Sequence, residues 1–239
     1  MKLTRIPVVI AVIFGTTASS AHIWNVAADF SGNTNPNGSW TYGYYLLYGA
    51  PGLDLPPDPA TFIKLGSSSI GSNYISWFTP SEISALNITR LSNQNYITLI
   101  AGLAPLTAFY APVIRWTASK SSQYSIQTDF QYSGLGAATT PTTQVGIRVD
   151  DLTLDYAYIG GPDSNLHIIR DLYLTSGQNL DFFVARGQHA ISLSSTVSAI
   201  PEAISFSLIL FGIVAFGMRL LNHRLTGKFA KIAVWFSKA

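Results

Sequence analysis

The sequence predicts an all-β fold, a two-sheet β-sandwich of jelly-roll type with an immunoglobulin-like sandwich as the second choice. A hydrophobic segment flanks it at each end. Three observations point there. Between His22 and Ile200 turn chemistry recurs every eight to twelve residues or so, the runs between the turns alternate apolar with polar residues, and no long apolar pattern of helical period crosses the region.

The turns are Asn35-Pro36-Asn37-Gly38, Ala50-Pro51-Gly52, Gly134 to Gly136, Gly160-Gly161-Pro162-Asp163 and Ser176-Gly177. Between them lie four alternating sets, each expected on one face of a strand: Trp40, Tyr42 and Tyr44; Tyr124, Ile126, Thr128 and Phe130; Val145, Ile147 and Val149; Leu152, Leu154, Tyr156 and Tyr158. Ser176-Gly177 is expected to close a hairpin between a strand ending at Leu174 and one starting near Leu180. Thr79-Pro80-Ser81-Glu82 reads as a helix cap followed by proline at the first helical position, so a short helical turn is expected over 79–85. The proline-rich stretch from Pro51 to Pro59 reads as a long loop within one domain, because the piece before it is too small to fold alone.

At 239 residues the chain suits one ordinary domain plus targeting segments. The formal charge is +2, but the basic residues gather at the two ends and leave the middle mildly acidic. That distribution argues against nucleic acid as a partner, which needs a basic stripe on the folded domain itself. Cysteine is absent, so thiol nucleophiles, disulfides and Cys-ligated metals are excluded.

Residues 1–21 carry the three parts of a signal peptide: Lys2 and Arg5, an apolar run from Ile6 to Phe14, and small residues up to Ala21. The predicted exported domain is 22–200. Residues 201–221 form a predicted transmembrane segment, uncharged from Ala203 to Met218, for which snorkelling of Arg219 would complete the span. A buried core helix is the alternative. The tail, 222–239, has the pattern of a basic amphipathic helix, with a frayed, solvated end as the alternative; Arg219, Arg224, Lys228 and Lys231 would keep it on the cytoplasmic side, Lys228 and Lys231 against anionic lipid. The expected location is the cell envelope or the extracellular space, with a membrane anchor before any processing.

The order Pro201-Glu202, hydrophobic segment, basic cluster resembles the PEP-CTERM sorting signal of exported bacterial proteins. That resemblance implies an exosortase-like membrane enzyme as a partner, recognising Pro201 and Glu202. This chain has Ala203 in place of the second proline, and a longer tail. The opening ADFSGNTNPNGSWTYGY, from Ala28 to Tyr44, together with QYSIQTDFQY, TTQVGIRVDD and DLYLTSGQNLDFFVARG, is similar to a group of exported bacterial β-sandwich proteins. The resemblance implies a domain akin to carbohydrate-binding modules and fixes no site.

Catalytic motifs are sparse. No HExxH or HxH pair occurs, and Gly66-Ser67-Ser68-Ser69-Ile70-Gly71 misses the nucleophile-elbow spacing by one residue. Asp150, Asp151, Asp155, Asp163 and Asp171 could hold a glycosidase carboxylate pair; Asp150, Asp151 and Asp155 are the candidates for Ca²⁺, and turn or edge roles account for the same residues. No cofactor is otherwise expected. Aromatic rings stack on the apolar faces of sugars, and among the many in the first third Tyr45, Tyr48, Tyr74 and Trp77 are the ligand candidates, since Trp40, Tyr42 and Tyr44 read as an inward face. The function expected is a non-catalytic surface or matrix protein that binds polysaccharide, against a glycan hydrolase or a purely structural envelope protein.

Overall fold

The computed structural model describes residues 21–48, 62–79, 86–103, 108–134, 143–150, 152–161, 163–185 and 190–201, all within one compact unit that ends at Pro201. The expected signal segment before Ala21, the expected loop from Pro51 to Pro59, the expected helical turn beyond Thr79, Asp151, Glu202, and the expected membrane segment and tail lie outside the described residues. Among those described there are fifteen strands in two antiparallel sheets.

Eight of the strands form nested pairs. The hairpin β11 (Thr143–Val149) with β12 (Leu152–Ile159) is innermost; β10 (Ser122–Tyr132) pairs with β13 (Asn165–Leu174), β9 (Ala108–Thr117) with β14 (Asn179–Ala185), and β1 (Ile23–Asn25) with β15 (Ala190–Ala199). These strands divide into a β1-β15-β10-β13 half and a β9-β14-β11-β12 half. Nested pairs dealt alternately to two sheets are the pairing of a jelly roll. The chain between β1 and β9 widens both halves. β2 (Trp40–Tyr48), β3 (Phe62–Lys64) and the short β8 (Gly102–Leu103) join the seven-stranded sheet; β4 (Ser67–Ile70), β5 (Tyr74–Phe78), β6 (Asn87–Leu91) and β7 (Ile97–Ile100) join the eight-stranded one.

Alternation builds the core. Tyr124, Ile126, Thr128 and Phe130 on β10 are buried while Gln123, Gln127, Asp129 and Gln131 between them face out. Trp40 and Tyr42 from β2 meet this layer from the other sheet with Trp116, Phe182 and Leu180, and Tyr44 packs half-buried at its border. Ring edges fit the gaps: Trp116 lies 4.9 Å from Tyr124 and 5.2 Å from Trp24, both edge-on. Thr128 and Ser195 are the polar pair of this layer and satisfy each other at 2.8 Å.

The segment from Ala28 to Tyr44 holds the entry to the sandwich. Asp29 accepts from the Trp40 indole at 3.1 Å and from the Asn25 amide at 2.9 Å, while Asn35 bonds Tyr42 and the Leu65 carbonyl through its side-chain amide. Val26, Ala27 and Phe30 are thereby seated in the core.

Two expectations need correction. The strands ending at Leu174 and starting at Asn179 are present, but β13 and β14 belong to different sheets, so Ser176-Gly177 makes an arch between sheets rather than a hairpin. The arch is tied to the similar arch from β9 to β10: Gly177 donates to the Ala118 carbonyl at 2.8 Å and Ala118 to that of Gln178 at 2.9 Å. Gly177 sits at φ +89, where a side chain is strained. The second correction concerns Leu152, Leu154, Tyr156 and Tyr158. A bulge on β12 opposite Ile147 and Arg148 breaks the period, so Leu154 packs against the main core while Tyr156 and Tyr158 turn outward.

Candidate functional site

Register across the eight-stranded sheet assembles a surface that no single strand encodes. On its outer face Ser69 lies opposite Ser76, Ser76 opposite Thr89, and Thr89 opposite Thr98; the line continues through Ser192, Gln131 and Asn165. Every member of this row is an uncharged hydrogen-bonding residue. Thr89 reaches Ser76 at 3.1 Å, and both bond the Asn87 amide oxygen, so these side chains are fixed relative to one another. One step along the strands runs a second row, in which Tyr74 faces Leu91, Ser194 faces Asp129, and Asp129 faces His167. Tyr96 precedes β7 and falls between Leu91 and Ser194 when the register is extended by one residue toward β15 and by two toward β6.

At the β13 end the two rows border a groove of about 280 Å³. Asn95 and Tyr96 form one wall; Asp129, Gln131, Asn165, Ser192 and Ser194 supply the rest of its polar lining. Tyr96 is half-buried, and so offers part of a ring. Asp129 is hydrogen-bonded to His167 Nδ1 at the rim, both side chains about half exposed. The groove, which the buried Phe130 also lines, therefore combines one part-exposed aromatic ring, three amides, two serine hydroxyls and a carboxylate. That set donates to and accepts from hydroxyl groups and gives a ring face to C–H groups.

The aromatic candidates separate clearly. Tyr45 is fully buried and Trp77 is 4% exposed, so neither ring has a free face, which corrects the expectation that they stack on a ligand. Trp77 is held by its indole N–H on the Ser31 carbonyl at 2.6 Å and by stacking on Tyr42 at 6.0 Å. Tyr74 is 42% exposed, on the second row. The side chain of Tyr48 lies outside the described residues. Tyr45 is buried because the outer face of its sheet carries a second apolar cluster with Ala111, Val113, Phe183 and Ala185. Inside this cluster Asp181, fully buried, accepts from Tyr45 and from Arg115 Nε at 2.7 Å and Nη2 at 2.9 Å. Arg115 in turn lies 3.8 Å over the Phe62 ring. Burial pushes the Tyr45 phenol well above its ordinary value, and the charge of Asp181 adds to it. For Arg115 burial opposes the charge, but the hydrogen bond and charge of Asp181 outweigh it and hold the guanidinium above its usual range.

Two of the aspartates expected for calcium or catalysis, Asp150 and Asp155, are already engaged. Asp150, at φ 46, accepts from the Asn179 amide and the Gln178 side chain, each at 3.1 Å, and so fixes the turn after β11. Asp155 gives both oxygens to Arg170 at 2.9 Å. Asp151 lies outside the described residues, and among those described no three His, Asp or Glu side chains converge as a metal site would require. Asp129 and Asp171 share the outer face, but Asp171 is opposite Ser125, four residues from Asp129; at about 3.4 Å per residue their backbones stand roughly 14 Å apart, beyond the ~5 to 10 Å of a glycosidase pair. Pro201 is exposed at the end of the unit; Glu202, Arg219, Arg224, Lys228 and Lys231 lie outside the described residues.

No family model matches the sequence, and no curated protein does. Solved structures similar to it include a family 35 carbohydrate binding module from an environmental isolate, at 12% identity over 57% of this chain and 87% of that one, with a TM-score of 0.29. A family 35 carbohydrate binding module from Clostridium thermocellum is 14% identical over 56% of this chain and 92% of that one, TM-score 0.25. The CBM35 structure from Paenibacillus barcinonensis is 10% identical over 75% and 98%, TM-score 0.28.

The groove residues Tyr96, Gln131, Asn165, Ser192 and Ser194 were not among the residues the sequence singled out. The only trace of them was the polar half of the alternation on β10, which marks Asp129 and Gln131 as outward without saying what lies beside them.

Proposed function

We propose that this chain is an exported, non-catalytic surface protein whose β-sandwich binds polysaccharide through the groove on the outer face of the eight-stranded sheet. The observation that carries the reading is the lining: a half-buried tyrosine beside Gln131, Asn165, Ser192 and Ser194, with a single carboxylate at the edge. Sugars need this mixture, a ring for the apolar face and amides or hydroxyls for the equatorial oxygens. The engaged state of Asp150, Asp155 and Asp181 supports binding over hydrolysis.

A glycan array of neutral and acidic polysaccharides is expected to give retention that Tyr96→Ala, Gln131→Ala and Asn165→Ala each reduce. Retention untouched by all three would reject the groove. Purely structural service would leave the array blank.

Export and anchoring belong to the same proposal and rest on the sequence of the two ends. The basic N-terminal signal, the apolar stretch after Pro201-Glu202 and the basic tail support delivery across the membrane and exosortase-like recognition at Pro201 and Glu202. Replacing Leu208 and Ile213 by Arg adds roughly 6 kcal/mol or more to insertion at the helix centre, so this variant is expected to leave the membrane fraction. Its retention there would reject the anchor.

A further inference from the structure

We infer that the ligand is a linear, neutral polysaccharide that lies perpendicular to the strands, running from the groove at β13 and β10 across β15, β7 and β6 to Tyr74 on β5. This rests on the groove being a carbohydrate site, and adds the direction, extent and charge of the chain it holds.

The groove is one end of a longer strip. The first row continues from it across the sheet in paired register, the second runs beside it with Tyr96, just ahead of β7, between Leu91 and Ser194, and their chemistry differs in a useful way. The first row offers only hydroxyl and amide groups, through Ser69, Thr89, Thr98, Gln131 and Asn165, while Ser76 and Ser192 in the same line are buried. The second places Tyr96 at the groove and Tyr74 at the far end, with Leu91 between. A sugar chain laid between the rows would meet hydrogen-bonding groups along one side and, at Tyr96 and Tyr74, a ring on the other, which is the division a pyranose presents between its equatorial hydroxyls and its C–H face. From β13 to β5 there are five inter-strand steps of about 4.8 Å, so the strip is about 24 Å long. A monosaccharide would fill only the groove.

Charge narrows the class. Neither row carries Lys, Arg or Glu, and the one carboxylate, Asp129, already has His167 as its partner at the edge. An acidic polymer would find no cation along the strip to compensate its desolvated charges, whereas a neutral one needs none. The Ser76, Thr89 and Asn87 network holds the middle of the first row in place before binding, which lowers the ordering cost of an extended ligand.

The test is a chain-length series on the full chain in detergent micelles. The probes are linear β-1,4-linked oligosaccharides of glucose, mannose and xylose, from disaccharide to octasaccharide, with binding measured by calorimetry. For the sugar that binds, affinity is expected to rise with length and level off once the strip is spanned. Tyr74→Ala is expected to weaken the octasaccharide by about five-fold, equivalent to about 1 kcal/mol, and to leave the disaccharide unchanged; Tyr96→Ala is expected to weaken both. Tyr74 is exposed, and an unchanged tryptophan emission spectrum will confirm that the variant is folded. Equal affinity at all lengths, or a Tyr74→Ala effect of the same size on disaccharide and octasaccharide, overturns the strip while leaving the groove intact. Binding of polygalacturonate in preference to every neutral probe overturns the charge assignment. Absence of binding at every length overturns the groove and the strip together.

Discussion

Replacing Asp181 by Asn is expected to destabilise the sandwich by about 3 kcal/mol. The carboxylate is fully buried and answers three donors, the Tyr45 hydroxyl and the Nε and Nη2 of Arg115. Arg148, opposite Asp181 on β11, is 3% exposed, and its Nη1 has no partner. Asparagine keeps the size but removes the charge, leaving two guanidinium groups facing a neutral amide. Breaking a buried pair in this way costs roughly 3–5 kcal/mol; we take the lower end because the Arg115 side chain retains 17% exposure and water screens part of its freed charge. For a domain whose total stability is of order 5–15 kcal/mol this is a large fraction. Urea unfolding followed by tryptophan emission is the assay, since Trp40 and Trp116 are fully buried and report loss of the core. The triple replacement Tyr45→Phe, Arg115→Met and Asp181→Leu is expected to cost less than Asp181→Asn alone, because it removes the Asp181–Arg115 pair together, puts apolar groups of similar volume in its place and leaves Arg148 as the remaining buried charge, bonded through Nε to the Asp150 carbonyl. A single-variant cost below about 1 kcal/mol, or a triple variant less stable than the single, would refute the claim that this cluster is a buried, mutually dependent unit.

Three other outcomes follow from particular contacts. Arg170 occupies an inward-side position on the edge strand β13 and pairs with Asp155 on β12, the edge of the other sheet; Arg170→Val is expected to leave the thermal midpoint nearly unchanged but to produce concentration-dependent self-association in sedimentation, because a charge that discourages edge pairing is gone. Burial raises the phenols of Tyr42 and Tyr45, so the folded state holds protons that the unfolded chain releases near its ordinary pKa of about 10; stability is therefore complete below about pH 10 and falls as pH rises above it, and the phenolate absorbance of these two residues is expected to appear only with unfolding. Early ionisation of all tyrosines in the folded domain would contradict this. Gly146→Ala places a Cβ 2.4 Å from the Asp155 carbonyl oxygen and 2.8 Å from the Phe183 ring, so a cost of about 1–3 kcal/mol is expected in the same urea assay.

Much of the fold was legible because alternation is local. The spacing of Tyr124, Ile126, Thr128 and Phe130 needs only the two-residue period of a strand and one buried face, and both hold on β10. Where both faces are covered the signal fades: β14 is buried at nearly every position, and Tyr45, placed on the outward face by its parity, is buried there all the same. Ser176-Gly177 carries turn chemistry that serves a hairpin and an arch equally, so the choice was made by β13 and β14 finding partners in different sheets. A bulge on β12 undid a period that the letters show intact. The groove was beyond reach for a stronger reason. Thr98, Ser192, Gln131 and Asn165 become neighbours only through the register of four strands drawn from distant parts of the chain, and register is set by tertiary pairing rather than by any one segment.

The most direct test of the account is the map of amide resonances that shift when the polysaccharide identified on the array, or its shortest binding oligomer, is added to the isotope-labelled domain. The account predicts that the shifts concentrate at Tyr96, Thr98, Asp129, Gln131, Asn165, Ser192 and Ser194, with little change around Tyr45, Arg115 and Asp181 on the opposite sheet. Shifts confined to the seven-stranded sheet or to the arches at the ends of the sandwich would contradict it.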